Sequence, residues 1–345
     1  MKYGKNILLK GNSANVRLFV LLGLAAAVGF VIFLGMLLSP VTLQGEGREV
    51  VVAIPQEAVA ATIGKILEEE GLVRSSVAFN LYTRCMGLDA RIKAGHYVLN
   101  SGFSTPRLAM ELVNGQQVFY RVTIPEGFNT EQIADLLAEK GLVERDRFMA
   151  VVREQHFDFS FLQGVPKGDR RLEGYLFPDT YNFELGVDEG TIVETMLNRF
   201  DREMKELDYA TLTARNGINV HQAVTIASLI EREAKADEER PLIAGVIYNR
   251  LKIPMLLQID ATIQYALGEN KPIIYYKDLE VDSPYNTYKH YGLPPGPIAM
   301  PGRASLLAAV QPAATDYLYY VAKPDGSHAF ATTLSDHDIN RELYQ

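Results

Sequence analysis

The sequence predicts an α+β protein with one transmembrane helix at its N-terminal end. Three observations predict this class: a long charge-free apolar segment, a duplicated strand–turn–helix pattern, and helical periodicity interrupted by loops rich in turn-forming residues. About 300 residues follow the apolar segment, which is enough to bury a sizeable core and to form two or more domains.

The apolar segment is predicted to anchor the chain in a membrane. No charged residue occurs from Leu18 to Gly45, and the apolar part, 18–38, is long enough to span a bilayer. Four basic residues and no acidic one precede it, which predicts a cytoplasmic tail over 1–17. A cleaved signal peptide is the alternative, but its apolar part would be shorter, and the residues after Leu38 form a poor cleavage site. A buried helix of a soluble protein is disfavoured because nothing polar interrupts the segment.

The first part of the exterior portion contains an internal duplication. The sequence VVVAIP at 50–55 is matched 70 residues later by YRVTIP at 120–125. Each copy predicts a short strand, a turn with proline and an amphipathic helix that ends at glycine. Modules of this kind bind polymers or serve as a stalk, and the sequence leaves both interpretations open. The predicted order is a first α+β repeat module at 49–118, a second at 119–162 and a catalytic domain at 163–345.

Composition excludes several classes of function. The net charge of −8 provides no basic surface for nucleic acid. The sequence contains no Cys/His cluster, no HExxH motif and no glycine-rich phosphate loop. We therefore expect no nucleic-acid partner, no metal and no cofactor.

Glu231 is the candidate catalytic residue. It follows the small and apolar run 223–230 and, on a helix predicted at 219–235, shares a face with Ala227 and Ser228. A carboxyl group on such a face loses water, which favours its protonated form and allows it to donate a proton to a leaving oxygen. Glu233 faces away and is expected on a solvated face or at the end of the helix, so these two carboxylates should not form an acid/base pair.

Further candidate ligand groups follow Pro241. The loop at 292–298 is rich in proline and glycine and is predicted to be stiff, so that it holds nearby side chains in place. Asp260 also has a simpler interpretation as the cap of a helix that begins at Ala261. The aromatic segment 172–181 suits stacking on sugar rings or tight packing in a loop. The predicted substrate-binding residues are Tyr248, Asn249, Gln258, Asp260, Asn286 and Tyr288.

Six sequence blocks of the exterior portion occur together in one order. They are LEGYLFPDTY (172–181), ASLIEREA (227–234), YNRL (248–251), SPYNTY (283–288), GLPPGPI (292–298) and DGSHAFATT (325–333). Together these blocks resemble the MltG (YceG-like) endolytic murein transglycosylases, and the resemblance covers essentially the whole chain. Two details depart from the family pattern: Ile259 and Ala261 flank Asp260 where the family has a polar residue and a proline, and Met300 stands where an asparagine is usual.

The resemblance implies that the first repeat module, 49–118, is a LysM-like region and that a YceG-like α+β catalytic domain follows, with Glu231 as the catalytic residue. It implies non-hydrolytic cleavage of the β-1,4 bond between N-acetylmuramic acid and N-acetylglucosamine, with a 1,6-anhydro end on the product. Glu231 would first act as acid and then as base, in agreement with the single carboxylate that its helix offers. The implied setting is the bacterial inner membrane, with an extracytoplasmic catalytic domain that acts on nascent glycan strands beside peptidoglycan synthases.

Two alternatives remain open at the level of sequence. In a muramidase-type hydrolase, Asp260 would serve as the second carboxylate across the scissile bond. In a non-catalytic, membrane-tethered glycan-binding scaffold, Glu231 would be replaceable without effect on the length of glycan strands.

Overall fold

The computed structural model describes residues 13–42, 47–55, 58–114, 119–269, 271 and 273–344. These residues form two compact units. The first contains the chain up to Phe119 together with Glu184–Gly186, and the second contains Tyr120–Phe183 and the chain from Val187 onward. The mixture of helices and short strands after one N-terminal apolar helix confirms the predicted α+β class.

The N-terminal helix α1 spans Ser13–Leu38. Its segment Phe19–Leu38 has a mean hydropathy of 2.7 and none of it is buried against the rest of the chain. By length and composition this helix can cross a membrane, which agrees with the segment 18–38 predicted from sequence.

The first unit has the order strand, two helices, strand, helix. Its two strands pair antiparallel, with Glu49 opposite Asn100 and Ile54 opposite Gly95. Alternate strand residues such as Val52 and Leu99 are buried, because successive side chains of a strand point to opposite faces. Its elements are β1 (Glu49–Ile54), α2 (Ala60–Glu69), α3 (Ser76–Cys85), β2 (Gly95–Asn100) and α4 (Thr105–Asn114).

The second repeat module does not stand apart from the catalytic region. Its helices and strand contribute Ile133, Phe148 and Val122 to the same hydrophobic core as Leu197 and Ile230. The boundary expected at 162/163 therefore lies inside one compact unit. The elements of this part are β3 (Phe119–Thr123), α5 (Thr130–Glu139), α6 (Arg145–Glu154) and β4 (Thr180–Glu184), and β3 pairs with β4.

The remainder of the second unit is mainly helical and is centred on one buried helix. Its elements are α7 (Glu189–Glu206), α8 (Tyr209–Arg215), α9 (Val220–Glu233), α10 (Arg240–Lys252), α11 (Asp260–Leu267), α12 (Arg303–Val310), β5 (Tyr319–Ala322), β6 (His328–Ala331) and α13 (Leu334–Tyr344). Helix α9 is buried from Ala223 to Ile230 and contacts α8, α10, α11 and α12. The helix that carries the candidate catalytic residue is thus the centre of the unit.

Candidate active site around Glu231

A capping box fixes the start of α9 and thereby the position of Glu231. The Asn219 side chain accepts from the Gln222 backbone N–H, and the Gln222 side chain accepts from the Asn219 backbone N–H. This reciprocal pair satisfies two free donors of the first turn. Glu231 then lies in the last turn, immediately after the buried run, as the sequence predicted.

The carboxyl group of Glu231 is held by two donors. Its Oε1 accepts from Arg240 at 3.3 Å, and its Oε2 accepts from the backbone N–H of Gly302 at 2.9 Å. Only 6% of its side chain is exposed. The expectation of a carboxyl group surrounded mainly by small apolar side chains was therefore incomplete, because a cation and a backbone dipole reach it from later parts of the chain.

Arg240 is itself fixed on several sides. It donates to Asp237 at 2.9 Å and to the buried hydroxyl of Ser305 at 2.5 Å. Burial lowers the pKa of Arg240, but the hydrogen bond to Asp237 and the nearby carboxylate charges outweigh burial and raise it overall. Arg240 therefore stays positively charged next to the Glu231 carboxyl group.

The predicted stiff loop forms one wall of the site. The backbone N–H of Ile298 donates to the Ser228 hydroxyl at 3.1 Å, which ties the loop to α9. Met300 forms two backbone hydrogen bonds with the turn before α5. The Met300 carbonyl accepts from the Gly127 N–H, and the Met300 N–H donates to the Phe128 carbonyl. These bonds bring the segments 126–128 and 298–302 together beside Glu231.

This arrangement places a second carboxylate, Glu126, next to the site. A Cβ atom on Gly302 would lie 1.9 Å from Oε1 of Glu126, so the carboxyl group packs against the bare α-carbon of Gly302. Glu126 is an exposed residue, but its carboxyl end is crowded. Partial burial raises the pKa of Glu126, the charge of Glu231 raises it further, and the charge of Arg240 offsets part of the rise.

Glu233 is the last residue of α9, which agrees with the predicted position at the end of the helix, but it is only partly exposed and does not lie on a solvated face. It accepts from the Tyr320 hydroxyl at 2.9 Å, and burial raises its pKa. Tyr320 belongs to β5, and the position of Glu233 in α9 does not predict that this strand packs against it. The prediction that Glu231 and Glu233 face different surroundings is confirmed by their separate partners.

Glu233 lines a polar cavity of about 340 Å³ that also contains three of the predicted substrate-binding residues. These three residues are Gln258, Asp260 and Tyr288. Glu231 is not among the residues that line this cavity. Further charged or polar side chains in its wall are Arg250, Tyr320, His328, His337 and Arg341.

Asp260 does not cap a helix, so that interpretation was wrong. Helix α11 begins at Asp260 itself, and no side chain caps it. The Asp260 carboxylate accepts from the Tyr288 hydroxyl at 2.5 Å instead. Gln258 has a positive φ of 52°, which is uncommon for a residue with a side chain and marks a constrained backbone in the cavity wall.

The other three predicted substrate-binding residues direct their polar groups to the backbone. Tyr248 donates to the Ala309 carbonyl, and Asn249 donates to two carbonyls near the start of β5. Asn286 has no exposed surface and donates to the carbonyls of residues 279 and 281. A contribution of Asn286 to substrate positioning would therefore act through the loop that also carries Tyr288.

The aromatic segment 172–181 is packed in the core and does not form a stacking platform. Tyr175 and Leu176 have no exposed surface. The Tyr175 hydroxyl lies 2.7 Å from Nδ1 of His221, whose Nε2 lies 2.9 Å from the Pro295 carbonyl. Because that carbonyl can only accept, Nε2 carries the proton and Tyr175 donates to Nδ1.

Sequence reasoning missed Glu126 and Arg240. The duplication did not mark Glu126, because the matching position in the first copy is Gln56. The approach of Arg240 to Glu231 requires the chain to turn after α9. Among the described residues, no group of three or more His, Cys, Asp or Glu side chains is placed to hold a metal ion.

The profile of the YceG-like family matches residues 52–342. The chain belongs to the YceG-like family. This finding confirms the resemblance that the sequence blocks indicated. The match also includes most of the two repeat modules, in agreement with the resemblance over essentially the whole chain.

Relatives in this family cover most of the chain. An endolytic murein transglycosylase of Bacillus subtilis is 36% identical over 321 residues, which cover 89% of this chain and 88% of the relative. One of Streptococcus pneumoniae is 33% identical and covers 94% of this chain, which spans 64% of that relative's length. The fold is similar to a crystal structure of a putative YceG-like protein of Listeria monocytogenes, with 34% sequence identity and a TM-score of 0.58. The match covers 85% of this chain and 99% of the Listeria chain.

Proposed function

We propose that this YceG-like protein is a membrane-anchored peptidoglycan lytic transglycosylase that cleaves glycan strands internally. The bond cleaved is the β-1,4 bond between N-acetylmuramic acid and N-acetylglucosamine, and the product ends in 1,6-anhydro-muramic acid. The names of the relatives at 36% and 33% identity support this class of lyase. The structural observation that carries the proposal is the Glu231 carboxyl group, nearly buried and fixed between Arg240 and Gly302.

Glu231 is the catalytic residue in this proposal. It protonates the glycosidic oxygen and then removes the proton from the 6-hydroxyl group, whose oxygen attacks the anomeric carbon without consuming water. Donors on both oxygens of Glu231 hold its carboxyl group in one orientation, and catalytic groups act best when neighbouring contacts hold their geometry.

Gln258, Asp260 and Tyr288 position the substrate from the polar cavity beside Glu233. Carboxylate acceptors and hydroxyl donors there suit the hydroxyl and acetamido groups of a sugar. Tyr248, Asn249 and Asn286 contribute by fixing the surrounding segments, as their bonds to backbone carbonyls support.

Helix α1 is the membrane anchor, with the short basic tail in the cytoplasm and the remaining chain outside. An enzyme tethered in this way acts where new strands emerge, so we propose that it works beside peptidoglycan synthases and limits strand length. Longer glycan strands in a deletion strain would support this role, whereas unchanged strand length would contradict it.

We further propose that the first unit is the LysM-like region and contacts glycan. Its compact core around β1 and β2 supports an independent module. If this unit is only a stalk, its replacement by an unrelated spacer of similar length will leave the binding of sacculi unchanged.

The catalytic assignment is tested with Glu231→Gln in the full chain, purified in detergent micelles and incubated with isolated glycan strands. Loss of one general acid/base lowers the rate by about 10²–10⁴-fold. Glu238→Gln is the matched control, because Glu238 is an exposed glutamate just beyond the same helix. We expect Glu238→Gln to retain full activity.

Mass spectrometry of the products separates the alternatives. Anhydro ends identify a lytic transglycosylase, whereas ends heavier by one water molecule identify a muramidase-type hydrolase. Undiminished release of anhydro products by Glu231→Gln would refute its catalytic role. Absence of cleavage by the unmodified chain, together with binding to glycan, would indicate a scaffold.

A further inference from the structure

We propose that Glu126 is a second catalytic residue of the Glu231 site, where it donates the proton to the glycosidic oxygen while Glu231 accepts the proton of the 6-hydroxyl group. This inference rests on the proposed transglycosylase function. It assigns to two side chains the two proton transfers that Glu231 alone would otherwise perform in turn.

The first support is the geometry at Gly302, a residue that both carboxyl groups approach. The backbone N–H of Gly302 donates to Oε2 of Glu231, and its α-carbon lies against the carboxyl group of Glu126. The backbone of Gly302 has φ −77° and ψ 173°, which any residue can adopt. The absence of a side chain at 302 therefore makes room for Glu126, since a Cβ atom would lie only 1.9 Å from its oxygen.

The second support is the rigidity of the turn that carries Glu126. Gly127 donates to the Met300 carbonyl at 2.9 Å, and Met300 donates to the Phe128 carbonyl at 2.7 Å. Arg232 also donates to the Gly127 carbonyl at 3.2 Å, which links this turn to the last turn of α9. Glu126 is thus attached to a backbone fixed relative to Glu231, as a catalytic side chain requires.

The third support is the difference in exposure between the two carboxylates. Only 6% of the Glu231 side chain is exposed, and both of its oxygens already accept hydrogen bonds. Glu126 is exposed, and its carboxyl group packs against the α-carbon of Gly302. A glycan strand that approaches from solvent therefore meets Glu126 before it meets Glu231.

The charges around the pair favour different roles for its members. Glu231 is paired with Arg240, which stabilises a carboxylate that is to receive a proton. Burial and the neighbouring negative charges of Glu231 and Asp237 raise the pKa of Glu126, and Arg240 lowers it by less. Two carboxyl groups whose surroundings differ in this way form the usual arrangement of an acid and a base.

The proposed step is balanced in atoms and electrons. The proton of the Glu126 carboxylic acid passes to the glycosidic oxygen, and the bond between that oxygen and the anomeric carbon breaks with its electron pair on the leaving oxygen. The 6-hydroxyl oxygen bonds to the anomeric carbon, and its proton passes to Glu231. Proton exchange with solvent then restores both side chains, and no water is added to the sugar.

The test compares Glu126→Gln, Glu126→Asp and Glu231→Gln in the full chain in detergent micelles, with isolated glycan strands as substrate. Cleavage rates are measured between about pH 4 and 9, where bell-shaped profiles report an essential acid and base. Glu139→Gln is the matched control, because Glu139 is exposed at the end of α5. We expect Glu139→Gln to leave the rate and the profile unchanged.

For Glu126→Gln we expect kcat to fall by about 10²–10⁴-fold with little change in KM, and the decline of activity at high pH to disappear. Glu126→Asp should retain the bell-shaped profile at a lower rate, because it keeps the acid but withdraws it from the sugar. Glu231→Gln should lose the decline at low pH instead.

The two proposals fail in different ways. If Glu231→Gln is inactive while Glu126→Gln keeps its rate and profile, the role of Glu126 is refuted and the function of Glu231 stands. If Glu126→Gln is slow but keeps both limbs of the profile, Glu126 is not the acid. Hydrated products from the unmodified chain would show that one carboxylate activates water, which would overturn both proposals.

Discussion

The ion pair between Arg240 and Glu231 can be tested by replacing the arginine with methionine, which keeps a long side chain but removes the charge. Among the described residues, Arg240→Met leaves the Glu231 carboxylate with the Gly302 N–H as its donor, and water cannot replace the lost arginine fully because only 6% of the Glu231 side chain is exposed. A nearly buried carboxylate without its cation is unfavourable. We therefore expect Arg240→Met to destabilise the second unit.

The magnitude follows from the geometry. At 3.3 Å and an effective dielectric constant of about 20, two unit charges interact by about 5 kcal/mol. Removal of one partner of a buried pair costs about 3–5 kcal/mol in unfolding free energy. The partner Asp237 contributes about 1 kcal/mol or less, because 76% of its side chain is exposed.

A double-mutant cycle isolates the pair. In a Glu231→Gln background the same Arg240→Met substitution should cost only about 1–2 kcal/mol, because a neutral amide does not require a cation. The expected coupling is therefore about 2–3 kcal/mol. At about 2–4 °C for each kcal/mol, the single variant should melt roughly 10 °C lower.

The assay is thermal and urea unfolding of the full chain in detergent, followed by far-ultraviolet circular dichroism. The chain contains no tryptophan, so fluorescence of that residue offers no signal. Asp237→Asn is the control that removes only the exposed partner. An equal cost of Arg240→Met in both backgrounds would refute the inference that the ion pair stabilises the site.

Three further predictions concern residues that support the site. Burial raises the pKa of Glu173 to about 7, so the free energy of unfolding should fall as pH rises through about 7. Unfolding measured between about pH 5 and 8 should show this fall, and Glu173→Gln should remove about 3 kcal/mol of it. A slope that persists in the variant would contradict it. Gly174→Ala should lower the free energy of unfolding in urea by about 2–4 kcal/mol, because φ is +84° and a Cβ would lie 2.6 Å from Pro297. The control Gly217→Ala has φ +67° but open space around the Cβ, so it should cost only about 1–2 kcal/mol. Equal costs would show that the contact with Pro297 does not destabilise the variant. Asn219→Ala should reduce the free energy of unfolding by about 1 kcal/mol through loss of the capping box, and the melting temperature should fall accordingly. An unchanged melting temperature would show that packing alone fixes α9.

Local pattern predicted the elements that carry the site. The helix expected at 219–235 is observed at Val220–Glu233. Its run of small and apolar residues is long enough to identify a helix. The position of Glu231 at the end of the buried run followed directly from that pattern.

The surroundings of the site depended on contacts distant in sequence and were not predicted. Tyr320 reaches Glu233 across 87 residues, and Gly302 reaches Glu231 across 71 residues. Residue type and helical spacing contain no information on such encounters. For the same reason, Asn286 was predicted from its chemistry without the knowledge that it is fully buried.

The assembly of the Glu231 site from distant segments has a consequence for biosynthesis. Arg232 meets Gly127 across 105 residues, and the amide that holds Glu231 comes 71 residues after it. A chain that stops before Gly302 lacks one wall of the site, however well its earlier helices have formed. Translation must therefore be almost complete before the site can form, so unfinished fragments of the chain should have no lytic activity.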